Sequence, residues 1–156
     1  MSEGEDCEII GKDYILIPDG EYEVSLKHWE TSTRFARRDK SDSTRYIGGK
    51  LYLWFRVDPY NNTLEGENLI FLAQNVVEVT SPAGKGGKFK VGARSNYYKM
   101  LKRLFGSNVA KHTKSPSALN SKLLLARTRT VKTNEKQKKL HENEWYSVID
   151  EIIDLA

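Results

Sequence analysis

The segment Lys50-Leu-Tyr-Leu-Trp-Phe-Arg-Val57 alternates strictly between apolar side chains on one parity and a mixed set on the other. Successive side chains of an extended chain point to opposite faces, so this period of two predicts a β-strand with one buried face. The face expected in the core consists of Leu51, Leu53, Phe55 and Val57. The other face carries Tyr52, Trp54 and Arg56. The sequence therefore predicts two large rings and a cation outside the core.

The flanking sequence predicts four more strands, at Glu21–Trp29, Leu69–Val79, Lys122–Thr133 and Trp145–Ile153. In the Lys122–Thr133 strand, Leu123, Leu125 and Val131 share one side. Arg127 and Arg129 have the parity of the two leucines, so burial of the leucines requires a bulge or twist that turns the arginines out of the core. The polar connections at 31–49 and 81–90 are predicted as loops.

A change of period predicts one helix, over Ser95–Phe105. Ser95 is a favourable N-cap, and Gly106 is a natural residue to end the helix. The order is therefore β-β-β-α-β-β, which indicates a mainly β fold of five strands with one helix between strands 3 and 4. We expect an acidic N-terminal arm at residues 1–13 and a single domain at 14–156.

Composition excludes several classes of protein. The one cysteine, Cys7, permits neither an intramolecular disulfide nor a cysteine-based zinc site. No apolar run reaches the roughly 18 residues of a membrane span. The acidic start differs from the basic, then apolar, start of a signal peptide. We therefore expect a soluble cytoplasmic protein without a membrane partner, associated with the nucleoid if it binds DNA.

The charge is segregated along the chain. Residues 1–30 carry a net charge of −7, residues 31–139 carry +16, and residues 140–156 carry −5. In the stretch 81–139, 16 basic residues accompany one acid, Glu135. A solvated surface usually mixes both signs, whereas a concentrated positive field attracts polyanions. This pattern favours a nucleic-acid partner.

The element order resembles the OB-fold, a five-stranded Greek-key barrel that binds oligonucleotides on the face of its strands 2 and 3 and with two of its loops. The resemblance covers roughly residues 14–153. The chain is also similar to small single-stranded-DNA-binding proteins of phages and mobile elements. The segment Gly92-Ala-Arg-Ser-Asn-Tyr-Tyr-Lys99, which precedes and enters the predicted helix, contributes to this similarity. This family resemblance implies sequence-tolerant binding of single strands in DNA replication or recombination, with proteins of those processes as further partners.

Binding of single strands needs flat rings under the bases and cations along the phosphates. Tyr52 and Trp54 are the predicted stacking residues; the alternative for Trp54 is that a loop, a helix or a dimer partner packs over it. Phe35 lies among arginines in the first loop, a combination that suits stacking beside phosphate contacts. The candidate phosphate contacts are Arg34, Arg37, Arg38, Arg56, Lys85, Lys88, Lys90, Arg127, Arg129, Lys132, Lys136, Lys138 and Lys139.

No enzyme is predicted. The three histidines have no metal-ligand spacing, no Gly-x-Ser-x-Gly elbow occurs, and residues 82–90 lack the spacing of a phosphate-binding loop. We expect no catalytic residue, metal or cofactor. Two alternatives remain open: a protein-interaction module, such as an inhibitor or accessory subunit, that uses the basic face on an acidic partner, and an RNA-binding protein. The acidic C-terminal end is either the fifth strand or a tail that docks partner proteins.

Overall fold

The computed structural model describes residues 15–33, 36–38, 40–41, 46–58, 69–81, 88–106, 116–120, 122–134 and 136–156. The predicted arm at 1–13 lies outside these ranges. The strands are β1 (Glu21–Ser32), β2 (Arg37–Arg38), β3 (Tyr46–Ile47), β4 (Lys50–Asp58), β5 (Leu69–Asn75), β6 (Glu78–Ser81), β7 (Lys88–Lys90), β8 (Leu124–Val131) and β9 (Tyr146–Leu155). The α-helix is α1 (Asn96–Phe105), and single 3-10 turns occupy Pro116–Leu119 and Glu142–Glu144.

The five long strands form one antiparallel sheet in the order β5-β4-β1-β8-β9. Among these strands β1, β4 and β5 are consecutive neighbours, and β8 returns to lie beside β1, which is a Greek-key order. The helix α1 falls between the third and fourth of them. The prediction of a mainly β chain with five principal strands and one helix is confirmed.

The sheet is open, so the five strands do not close into a barrel. In the described ranges no ladder of hydrogen bonds joins the edge strands β5 and β9. Backbone groups of β9 bond to other partners instead. The amide of Ser147 donates to the carbonyl of Ile15 at 2.7 Å, and the carbonyl of Ile152 accepts from the guanidinium of Arg103 in α1. These contacts satisfy hydrogen-bonding groups of β9, the strand whose pairing with β5 would close the barrel.

A second, four-stranded sheet has the order β2-β3-β6-β7. Three of its strands lie in stretches predicted as loops, so those predictions at 31–49 and 81–90 are partly wrong. The predicted strand Leu69–Val79 is divided at Val76 and Val77, because β5 belongs to the first sheet and β6 to the second. These strands have two to four residues, which is too short for a period to be visible in the sequence.

The apolar core lies against the inner face of the long sheet. The inner side chains of β4 are fully buried, as predicted, and so are Val24, Ile70 and Leu124. The helix α1 contributes Tyr97, Met100, Leu101 and Leu104. Burial raises the pKa of the Tyr97 phenol far above its ordinary value, because the charged form cannot be solvated there.

The face of β8 that packs in the core is the one opposite to Leu123 and Leu125. Leu124 and Ala126 are fully buried, whereas Leu123 is 46% exposed. Leu124 lies opposite Val24 of β1 in the ladder, and this register directs the other parity of β8 outward. Arg127 and Arg129 therefore face solvent through the regular alternation of β8. The two register shifts of the β8–β9 ladder, at Leu125/Ala126 and Arg127/Thr128, come from additional residues on β9.

The predicted ends of the helix are confirmed. The Ser95 hydroxyl accepts a hydrogen bond from the amide of Tyr98 at 3.1 Å, which satisfies one of the unpaired donors of the first turn. Gly106 follows the last residue with φ of 60° and donates its amide to the carbonyl of Lys102. No helix of the described part of the chain is long and apolar enough to cross a membrane.

Candidate nucleic-acid interface

A groove of about 970 Å³ crosses the solvent-facing side of the long sheet and extends into the gap between β5 and β9. Tyr52, Trp54 and Phe71, on β4 and β5, line its floor. The end of β1 and the start of β4 form one wall. The ends of β8 and β9 that meet at their connecting turn form the other. The groove thus lies on the face of β4 that was predicted to carry Tyr52 and Trp54.

Aromatic rings on four strands form a row across this face. Trp54 lies in register with His28 of β1 on one side and with Phe71 of β5 on the other. The ring centroids are 6.1 Å apart for His28 and Trp54, 5.0 Å for Trp54 and Phe71, and 6.2 Å for Phe71 and Tyr146 of β9. Tyr52 adds a further ring, 5.9 Å from Phe71. All five rings are partly exposed, so mutual packing holds them in place while part of each stays open to solvent.

A bulge in β1 brings His28 and Glu30 to this face. Up to Leu26 the even-numbered residues of β1 point to the core. The register with β4 shifts between Leu26 and His28, where Lys27 is the additional residue. An additional residue in a strand exchanges the two faces for all that follows. His28 and Glu30, which uninterrupted alternation would direct inward, therefore lie opposite the rings of β4.

Two acidic residues occur in the described lining of the groove, Glu30 and Asp150. An oxygen of Asp150 lies 3.3 Å from Nε of Arg129, so this carboxylate already compensates an arginine. An oxygen of Glu30 lies 3.3 Å from Nε2 of His28, and the Glu30 side chain is 37% exposed. The groove therefore contains negative groups beside its rings and cations.

The turn between β8 and β9 contributes cations at the rim. The side-chain oxygen of Asn134 accepts from the amides of Lys136 and Lys138, at 2.9 and 3.0 Å, which fixes a tight turn. Gln137 within it has φ of 63°. Asn134 and Gln137 line the groove, and the predicted phosphate contacts of this turn, Lys136, Lys138 and Lys139, have exposed side chains.

Lys132 has a structural contact in addition to its predicted role. Its ammonium lies 4.7 Å from the centroid of the Trp145 ring. The indole nitrogen of Trp145 in turn donates to the carbonyl of Leu140 at 3.2 Å. This cation–π contact stabilises the base of the turn that carries the three lysines.

Several predicted cations lie near acids of the C-terminal strand. Arg129 contacts Asp150 as described, and Arg127 contacts Glu151 at 3.3 Å. Arg103 of α1 contacts the same Glu151 at 3.1 Å. The acidic end of the chain thus neutralises part of its basic middle. β9 extends to Leu155, so the C-terminal end is a strand of the sheet.

Other predicted residues do not line the groove. Arg56 shares the face of Trp54 farther along β4, and Arg37 and Arg38 are exposed on β2 of the second sheet. Lys90 of β7 is 67% exposed and lies 3.3 Å from Glu78, which is almost fully buried. Lys90 therefore compensates a buried carboxylate. Lys88 belongs to β7, whereas Arg34, Phe35 and Lys85 lie outside the described residues.

Five residues of this face were not predicted from the sequence: His28, Glu30, Lys50, Phe71 and Tyr146. Phe71 had a visible signal, because it has the parity opposite to Ile70 and Leu72 in an alternating strand. Lys50 lies two residues before Tyr52 and therefore on the same face of β4. Tyr146 becomes part of the site only because β5 and β9 approach each other, and no local pattern predicts that approach.

The groove combines flat rings, hydrogen-bonding side-chain amides, cations and two carboxylates. In the described ranges no group of three or more His, Cys, Asp or Glu side chains could hold a metal ion. Comparison of the chain with protein-family models, with curated proteins and with solved structures gave no significant match. The function is therefore inferred from the geometry of the groove.

Proposed function

We propose that this chain binds single-stranded DNA in the groove, largely without regard to sequence and without catalysis. The observation that carries the proposal is the row of partly exposed rings across the groove floor. Nucleobases stack on such rings irrespective of their identity, since every base has a π-face. Rings that already pack against one another need little ordering when a base arrives.

The charges around the groove support the same function. Lys50 lies in its wall, and the lysines of the β8–β9 turn lie at its rim. A strand whose bases lie on Trp54 and its neighbours would have its phosphates within reach of these ammonium groups. Such contacts release counterions, which makes affinity depend on salt.

The topology supports an OB-fold of the kind found in small single-stranded-DNA-binding proteins of phages and mobile elements. The OB-fold is a partly open five-stranded Greek-key barrel that uses the face of its strands 2 and 3. The long strands here have a Greek-key order, the gap between β5 and β9 leaves the barrel open, and β4 and β5 carry the groove floor. Replication or recombination is the process we propose for this binding.

Titration of the protein with oligo-dT, followed by tryptophan fluorescence over a range of salt concentrations, tests the proposal. We expect quenching, because a base stacked on Trp54 changes its emission. We also expect log K to fall with log salt by about 0.7 for each phosphate contact. Trp54→Ala should lose about 1–3 kcal/mol of binding free energy, whereas Trp54→Phe, which keeps a flat ring, should lose much less.

Lysine variants supply a matched control. Lys138→Ala, in the β8–β9 turn, should lower the salt dependence, whereas Lys122→Ala should not, because Lys122 is an exposed lysine before the opposite end of β8. Absence of binding at low salt would contradict the proposal and favour an acidic protein partner. Tighter binding of RNA than of DNA oligomers of equal length would assign the groove to RNA.

A further inference from the structure

Glu30 places a negative charge in a groove that is proposed to attract a polyanion. Its carboxylate lies in the wall of the groove, directly opposite Tyr52 in the ladder between β1 and β4. A negative charge at this point repels phosphate, so it weakens binding unless it makes a favourable contact of its own. Asp150, the other acidic residue of the described lining, has Arg129 as its partner.

The surroundings of Glu30 fix where its carboxylate lies. The bulge at Lys27 puts Glu30 on the outer face, one position beyond the pair of rings formed by His28 and Trp54. Nε2 of His28 lies 3.3 Å from one carboxylate oxygen. The carboxylate is thus placed at the border of the ring row, where the edge of a base stacked on Tyr52 or Trp54 would lie.

A carboxylate accepts hydrogen bonds and donates none, so it distinguishes bases by the donors on their edges. Cytosine presents an exocyclic amino group, whereas thymine presents a carbonyl oxygen at the equivalent position. At this position a carboxylate accepts a hydrogen bond from the amino group of cytosine and is repelled by the carbonyl oxygen of thymine. The N3–H of thymine is a donor as well, but it lies between two carbonyl oxygens that repel the carboxylate. The two pyrimidines are similar in size, so stacking alone distinguishes them weakly.

We propose that Glu30 contacts the edge of a stacked base and makes the groove prefer bases that carry an exocyclic amino group over thymine. This inference rests on the proposed function and refines it, because binding would then tolerate many sequences but favour some. His28 acts as a positioning residue that holds the carboxylate toward the ring row.

The test compares oligo-dC with oligo-dT of equal length, above neutral pH so that cytosine stays unprotonated. The wild-type protein should bind oligo-dC about five- to tenfold more tightly, at the lower end of what one base-edge contact contributes. In Glu30→Gln this ratio should fall to below about twofold, with most of the change arising from tighter binding of oligo-dT.

Glu23→Gln is the matched control, because it removes the same charge from an exposed site on the same strand, opposite Asp58. It should change both affinities equally. Equal affinity of the wild type for the two oligomers, or a ratio that Glu30→Gln leaves unchanged, would overturn the inference while leaving the proposed function standing. No binding of either oligomer would overturn the proposed function itself.

Discussion

Replacing Gly49 by alanine adds one methyl group at the corner where β3 passes into β4. Gly49 has φ of 122°, a conformation that residues with a side chain rarely adopt. The added Cβ would lie 2.7 Å from Cγ2 of Val79 and 2.8 Å from the backbone oxygen of Ser32. The corner also carries a backbone hydrogen bond from Val76 to Gly49 at 3.2 Å, so it cannot shift without loss.

Two terms give the expected magnitude. Holding alanine at this φ costs about 1–3 kcal/mol. Relieving the contacts with Val79 and Ser32, one of them with backbone, costs about 1–3 kcal/mol more. We therefore expect Gly49→Ala to lower the free energy of unfolding by about 2–6 kcal/mol, which is a large fraction of the roughly 5–15 kcal/mol typical of a domain.

Two other glycines separate these terms. Gly106 has φ of 60° and ψ of −132°, and no atom lies within 4 Å of an added Cβ. Gly106→Ala should therefore cost only the backbone term, about 1–3 kcal/mol. An added Cβ at Gly92 also meets nothing within 4 Å, and its φ lies outside the strained range. Gly92→Ala should change stability by less than about 0.5 kcal/mol.

Urea denaturation followed by tryptophan fluorescence measures all three variants, since the chain has three tryptophans. The expected order of destabilisation is Gly49→Ala, then Gly106→Ala, then Gly92→Ala. If Gly49→Ala lost no more stability than Gly106→Ala, the contacts with Val79 and Ser32 would contribute nothing and this explanation of Gly49 would be wrong.

Two further predictions concern charges. Lys90→Ala should lower stability by about 1–3 kcal/mol, because the buried carboxylate of Glu78 loses its ion pair with Lys90. Lys90→Ala combined with Glu78→Gln should recover part of the loss in the same urea assay. If Lys90→Ala weakened oligo-dT binding at unchanged stability, this structural role would be wrong. Asp150→Asn should free Arg129 for phosphate and so steepen the dependence of log K on log salt by about 0.7; an unchanged slope would show that Arg129 stays out of reach of the strand.

The sequence predicted the features that depend on neighbours along the chain. The alternation of β4 gave its buried and exposed faces correctly, and therefore the exposure of Tyr52 and Trp54. The helix α1 was predicted to within one residue, with its cap at Ser95 and its stop at Gly106. These features are local, because a side chain two residues along a strand or four along a helix shares its face whatever the rest of the fold does.

The sequence did not predict the buried face of a strand where either of its two alternating sets of residues could pack in the core. In β8 the leucines at 123, 124 and 125 fit either face, and only the register with β1 decided that Leu124 is buried. In β1 the alternation up to Leu26 would have continued inward to Glu30, but the bulge at Lys27 reversed it. A single additional residue moves every later side chain to the other face. No pattern in the neighbouring sequence predicts this bulge.

The sequence alone determined the charge segregation, the principal strands and the outward rings of β4. Which other residues join those rings depends on how the strands pack together. The approach of β5 and β9 brings Tyr146 to Phe71, the bulge brings His28 and Glu30 to β4, and the acids of β9 neutralise Arg127 and Arg129. Periodicity determines the face of each residue within its own strand, whereas the groove depends on the order, register and curvature of strands that are far apart in the chain.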